Sequence, residues 1–294
     1  MPGDAAVLCR GARSEAPLRC AVAAGAAVGD GMVAAACSGA RSAGPGECIA
    51  TISSHIDSTL RLRLCRFAAS SAPALCANAA PSGLAADDLA TLCVGARSEA
   101  PALCALDAPS YGVELDQRHV LCSGAPDEAP LGPLLCFAQV RAKLYGFERS
   151  AALDLCRGAT SSVPVRCAAA ALTGSNLRSD GVFARWQRDT EGGAGAARAA
   201  AGELGASANR DGFVTAMCSG AASTGPGQCA AAVANGNVAI VAKDIIALCH
   251  GTAAATPGFC AVAHMKEARR VRGTSMEGDE APRACVSMLR WRCV

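Results

Sequence analysis

Residues 8–20, LCRGARSEAPLRC, return almost letter for letter at residues 92–104 as LCVGARSEAPALC. Two looser copies lie between them and end at Cys48 and Cys76, so the first cysteine of the unit recurs at positions 9, 37, 65 and 93. The period of these early copies is therefore 28 residues. Self-similarity at such a period is the sequence signature of a repeat array, in which each unit packs mainly against its neighbours.

Three residue types stand at fixed places after the first cysteine of most units. Glycine is at the second position, serine at the fifth and proline at the eighth, as in Gly95, Ser98 and Pro101. Glycine ends helices, serine caps helix starts, and proline is tolerated in a first helical turn because its missing N–H is not needed there. We therefore predict helices over 87–95 and 101–106 in this unit. The whole chain is predicted to be all-α, an α-solenoid of about ten short helical hairpins with a period of 28–31 residues.

The 18 cysteines fall into nine pairs, most of them with ten intervening residues. The pairs are Cys9 and Cys20, Cys37 and Cys48, Cys65 and Cys76, Cys93 and Cys104, Cys122 and Cys136, Cys156 and Cys167, Cys218 and Cys229, Cys249 and Cys260, and Cys285 and Cys293. Because the count is even and pairing is complete, we predict one disulfide within each pair, which would stabilise each hairpin by about 2–3 kcal/mol. Buried free thiols in a reducing compartment are the alternative. Zinc binding is disfavoured because no C-x2-C or H-x3-H spacing occurs.

One unit has lost both cysteines together. Gln187 and Arg198 stand where a pair would be, and a glycine-rich hairpin at 192–195 is followed by a predicted loop at 207–212. We therefore divide the chain into regular cysteine-paired repeats at 1–170, a degenerate cysteine-free repeat at 171–216, and cysteine-paired repeats with a C-terminal cap at 217–294.

The composition limits the environment and the partners. Apolar residues make up 51% of the chain but aromatics only 3%, so the core is mostly alanine and needs the disulfides as additional ties. A net charge of +2 gives no reason to expect nucleic acid. No targeting peptide and no transmembrane segment is visible. We expect a protein that is soluble or peripheral to a membrane complex, in an oxidising compartment.

No catalytic constellation accompanies the repeat. The sequence has no G-x-S-x-G, no phosphate loop and no dinucleotide fingerprint, and its four histidines fall at unrelated repeat positions. We therefore expect neither an enzyme nor a cofactor or metal site.

Two groups of residues are candidates for binding a protein partner. Arg13, Arg41 and Arg97 share one repeat position near the turn, and a second set, Arg10, Arg66 and Arg157, directly follows the first cysteine. These arginines either form a ridge that binds an acidic partner, or they stabilise helix C-termini and keep the protein soluble. The scarce aromatics Tyr145, Phe147 and Trp186 lie in the least regular part, 137–212, where we predict the principal contact. Packing compensation in the disulfide-free unit is the alternative role of Phe183 and Trp186.

The unit L-C-x-G-A-x-S-x-A-P-x-x-C resembles the tandem repeats of alanine-rich proteins from microalgae and other protists. The likeness covers most of the chain except 171–216 and the tail after Cys260, and it supplies no activity. It implies a plastid or thylakoid-lumen setting and a linker subunit of a photosynthetic antenna supercomplex. From the residues, we expect a non-catalytic scaffold that contacts other proteins of a large complex. The alternative is a secreted or surface repeat protein that binds a ligand or glycan.

Overall fold

The computed structural model describes residues 14–25, 29–173, 206–236, 240 and 242–272, and in these residues the chain is helical without strands. The helices, numbered in chain order, are α1 Ala16–Ala24, α2 Asp30–Cys37, α3 Gly44–Thr51, α4 Ser58–Cys65, α5 Ala72–Ala79, α6 Ala86–Cys93, α7 Ala100–Asp107, α8 Leu115–Cys122, α9 Gly132–Lys143, α10 Arg149–Cys156, α11 Val163–Leu172, α12 Ala206–Cys218, α13 Gly225–Asn235, α14 Ala242–Cys249 and α15 Thr256–Arg272. A single turn of 3-10 helix, Ala108–Tyr111, follows α7. The predicted helices at 87–95 and 101–106 correspond to α6 and α7.

Within each compact unit the helices form two layers that alternate along the chain. The odd-numbered helices start with the repeat's proline region and the even-numbered ones end at its first cysteine. The chain comprises two compact units, 1–134 and 135–294. In the first, α1, α3, α5 and α7 pack one on the next, and so do α2, α4, α6 and α8; the second repeats the arrangement with α11, α13 and α15 and with α10, α12 and α14. The predicted α-solenoid of short helical hairpins is confirmed.

In the turn from an even helix to the next odd helix, glycine, serine and proline have the roles predicted from the sequence. Gly95 has φ +73°, a conformation that favours glycine, and it follows Val94 with φ −61° and ψ 125°. The Oγ of Ser98 accepts a hydrogen bond from the N–H of Ala100 at 3.0 Å. Pro101 lies in the first turn of α7. Serine thus helps to start the odd helix from one place before the N-cap.

Backbones approach closely in the odd layer because the side chains there are small. A Cβ added at Gly46 in α3 would lie 1.9 Å from the carbonyl oxygen of Cys20 in α1. A Cβ at Gly227 in α13 would lie 2.0 Å from the carbonyl oxygen of Cys167 in α11. Gly-Pro-Gly at 44–46 and 225–227 therefore permits close backbone contact between neighbouring odd-numbered helices.

The disulfides join different cysteines from those predicted. Cysteine pairs are bonded across hairpins as Cys20–Cys37, Cys48–Cys65, Cys76–Cys93, Cys104–Cys122, Cys136–Cys156, Cys167–Cys218 and Cys229–Cys249. Each bridge connects the fifth residue of an odd helix to the last residue of the following even helix. The predicted links within the sequence pairs, such as Cys37 with Cys48, are wrong; each described bridge joins the second cysteine of one sequence pair to the first cysteine of the next.

The lengths of the loops that the disulfides close do not strongly favour either of the two pairings. Loops of about 11 and 17 residues differ in closure entropy by only about 0.4 kcal/mol, so the packing of the helices decides. The observed partners have Cα–Cα distances of 5.4 to 5.7 Å, as a disulfide requires. Cys260 is also disulfide-bonded, whereas Cys9, Cys285 and Cys293 lie outside the described residues.

The predicted degenerate repeat is described only at its ends. Residues 174–205, with Trp186, Gln187, Arg198 and the glycine-rich 192–195, lie outside the described residues. The loop predicted at 207–212 is wrong because these residues belong to α12. Asn-Arg-Asp-Gly has the composition of a turn, but Asp211 is fully buried and bonded to another helix, and that tertiary contact outweighs local preference.

Candidate functional site

The most informative departure from the repeat is at Phe67, which stands where other units have the helix-ending glycine. Before Gly39, Gly95, Gly124 and Gly158 the preceding residue is extended, as in Ser38 with φ −61° and ψ 118°, and Gly39 has φ +74°. Arg66 instead has φ −52° and ψ −32°, the conformation of the first central residue of a type I turn. This turn demands no positive φ at its next residue, so it accommodates phenylalanine. It still closes with a hydrogen bond from Ala68 N–H to the Cys65 carbonyl at 3.0 Å.

Phe67 projects into solvent as a result. Its side chain is 88% exposed, and the Arg66 guanidinium carbon lies 5.4 Å from the centre of its ring, within range of a cation–π interaction. In the described part of the chain no carboxylate lies within salt-bridge distance of Arg66. The pair is therefore an exposed aromatic and a cation without an acidic partner there.

The pair borders a groove between α2 and α4 with a volume of about 710 Å³. The α2 side consists of small residues, Gly31, Ala34, Ala35 and Ser38. The α4 side consists of larger ones, Leu62, Arg63, Arg66 and Phe67. Phenylalanine and arginine on the α4 side are residue types that protein interfaces favour, whereas the alanines and serine on the α2 side are not.

The other arginines near this groove are already engaged. Arg63 forms an ion pair with Asp87 on α6. Arg61 donates from Nε to the carbonyl of Ile56 at 2.6 Å and from its terminal nitrogen to the carbonyl of Ser54. Arg66 is consequently the cation best placed to meet an external anion.

The predicted arginine positions do not form an unbroken row in the described residues. Arg41 and Arg97 are exposed, but the repeat between them carries Ala69 in that position, and Arg13 lies outside the described residues. Arg97 lines a second cavity of about 390 Å³ together with Asp127 and Glu128, so the charges there are mixed. The role of these arginines in binding a partner stays a prediction.

The predicted aromatic positions lie in the connection between α9 and α10. Tyr145 is fully exposed and Phe147 is half-buried, with its N–H bonded to the Leu144 carbonyl at 3.0 Å. Trp186 lies outside the described residues. Tyr145 and Phe147 as partner anchors stay a prediction.

The end of this connection is fixed by a buried carboxylate. Asp211 of α12 accepts a hydrogen bond from the N–H of Glu148 at 2.6 Å and one from Arg210 Nε at 2.8 Å. Glu148 in turn caps α10 by accepting from Ala151 N–H at 2.9 Å. Burial acts to raise the pKa of Glu148, but the hydrogen bonds from Ser150 and Ala151 outweigh it and the pKa is lowered. The network fixes the start of α10, three residues after Tyr145.

Sequence reasoning did not single out Phe67, although an indication was present. The repeat has glycine at this position in seven units and phenylalanine in the unit of Cys65, a change that alters the turn.

Among the described residues no group of three or more His, Cys, Asp or Glu could hold a metal ion. No helix in the described ranges is long and apolar enough to span a membrane. No protein-family model, curated protein or solved structure matches the chain.

Proposed function

We propose that this chain is a non-catalytic scaffold that binds another protein through the α2–α4 groove and acts as a linker within a larger assembly. The observation that carries this proposal is Phe67, exposed to 88% beside a groove of about 710 Å³. Aromatic residues and arginine are enriched at the centres of protein interfaces, where burying a large ring contributes most of the binding free energy.

The architecture supports the same role. Stacked repeats present long surfaces, and a partner contacts several units at once. The seven described disulfides, which indicate an oxidising environment, hold these surfaces rigid, so that less conformational entropy is lost on binding. The likeness of the repeat to those of alanine-rich algal proteins supports a plastid or thylakoid lumen as the compartment. It also supports a light-harvesting supercomplex as the assembly.

A second candidate is a secreted or surface protein that binds a small ligand or glycan. The volume of the groove favours it, because small-molecule sites occupy roughly 300–1,000 Å³. The two functions differ in native extracts, where a linker migrates with a large complex and a ligand-binding protein migrates alone.

The test compares tagged wild-type protein with Phe67→Ala, and with Val22→Ala as a control at another exposed apolar position. In native extracts, wild type and the control should migrate with a large complex, whereas Phe67→Ala should be released at least about tenfold more, as expected for an interface centre. If Phe67→Ala stays in the complex, the groove is not the binding site. Release by Tyr145→Ala but not by Phe67→Ala would place the contact at the α9–α10 connection.

A further inference from the structure

Resting on the proposed function, we infer that the α2–α4 groove receives an amphipathic α-helix of the partner protein, with carboxylates in its first turn facing Arg66. The shape and the charges of the groove together determine the chemistry of this partner segment.

The backbone of the groove favours a helix over an extended peptide. Both walls are helices whose N–H and carbonyl groups are bonded within the chain, for example Ser38 N–H to the Ala34 carbonyl at 3.1 Å and Arg66 N–H to the Leu62 carbonyl at 2.9 Å. An extended peptide would therefore bury its own backbone groups without partners. A helix brings its backbone already hydrogen-bonded.

The side chains of the groove allow a helix to approach closely. Gly31, Ala34, Ala35 and Ser38 recur at intervals of three and four residues and so share one face of α2. Small residues at a helix contact shorten the distance between axes. Leu62 and Phe67 on the opposite wall supply the apolar contact that an amphipathic helix needs.

The charges determine which part of the partner helix is acidic. Among the described residues that line the groove, the charged ones are Arg63 and Arg66, and Arg63 already forms an exposed ion pair with Asp87. Ser38 and Arg66 directly follow the last residues of α2 and α4, so the partially negative ends of both helices lie beside Arg66. The partially positive N-terminus of a partner helix is favoured beside these ends, and the Arg66 cation offsets their repulsion of the carboxylates that suit its first turn.

Three fluorescent 16-residue peptides with leucine on one face test the inference. One has two glutamates in the first turn, one has the same glutamates in the last turn, and one has glutamines in the first turn. Binding to the full chain is measured by fluorescence anisotropy at low salt. The first-turn glutamate peptide should bind roughly tenfold more tightly than either other peptide, as expected for a charge-assisted hydrogen bond. Arg66→Glu should remove this preference, whereas Arg41→Glu, at an exposed arginine outside the groove, should retain it.

The remaining outcomes separate this inference from the proposed function. Equal binding of the three peptides, or none, overturns the acidic-helix inference, and so does a preference that survives Arg66→Glu. If the native complex still depends on Phe67 in that case, the proposed function stands. A small molecule found by native mass spectrometry, bound to wild type and absent from Phe67→Ala, overturns both.

Discussion

Cys167 in α11 is bonded to Cys218 in α12 across a separation of 51 residues, whereas the other six described bridges span 17 to 20. The bridge nevertheless joins the fifth residue of an odd helix to the last residue of the next even helix, as elsewhere. α12 packs on α10, and α13 packs on α11, in the order of an uninterrupted array. The repeat therefore keeps its phase across residues 174–205.

The long loop should make the Cys167–Cys218 bridge the most stabilising of the three described bridges in the second unit. In the chain-entropy model, loops of 51 and 20 residues differ by about 0.8 kcal/mol. Replacing both Cys167 and Cys218 by serine should therefore lower the free energy of unfolding by about 4 kcal/mol, against about 3.3 kcal/mol for the Cys229–Cys249 pair. Denaturant titration of the two double variants measures the difference. A smaller loss at Cys167–Cys218 would contradict the entropic account.

The order in which the cysteines are paired also predicts the partner of Cys260. Every described bridge joins a cysteine to the next one along the chain, starting from Cys20. If the same order continues after Cys249, Cys260 is paired with Cys285. Peptide mapping by mass spectrometry without reduction should recover that link together with the seven described bridges. Recovery of peptides linking Cys37 to Cys48 or Cys249 to Cys260 would contradict this pairing order.

Two helical glycines of the second unit should respond oppositely to alanine. A Cβ at Gly227 would lie 2.0 Å from a backbone oxygen, so Gly227→Ala should destabilise the unit by about 1–3 kcal/mol. Gly212 in α12 has open space at that position, so Gly212→Ala should stabilise by about 0.5–1 kcal/mol through the lower entropy of the unfolded chain. Thermal unfolding measures both. Equal effects would mean that helix propensity, and not backbone contact, governs these positions.

The start of α4 should be sensitive to acid. Hydrogen bonds from the N–H groups of Thr59 and then Leu60 hold the pKa of Asp57 below its ordinary value of 3.8. A lowered folded pKa stabilises the helix at pH values above the unfolded pKa, and this contribution is lost as pH falls through the folded value. Asp57→Ala should therefore lower the Tm at pH 7 by more than it does below about pH 4.

Asp57→Asn is the matched control, because asparagine also caps helices but does not titrate. Its Tm at pH 7 should stay close to that of wild type. An Asp57→Ala deficit that is the same at pH 7 and at pH 3 would show that the carboxylate charge does not matter at this cap.

The identity of the elements was predictable from short stretches of sequence. Gly95, Ser98 and Pro101 act on their own backbone or on residues two or three positions away, so their repetition predicts helix, turn and helix without reference to the rest of the chain. The same local rule indicates that a unit with Phe67 in place of glycine needs another turn.

The sequence by itself determined the all-helical repeat and its period, because these depend on local steric and hydrogen-bonding preferences, and its even cysteine count indicated disulfides. Only the tertiary structure decided which cysteines are bonded, since the competing loops differ by about 0.4 kcal/mol and helix packing is worth more. It alone placed residues 207–212 in a helix, where the buried Asp211 holds Glu148. It also set Phe67 beside α2, a neighbour that lies one repeat away along the chain and that no local pattern identifies as the opposite wall of a groove.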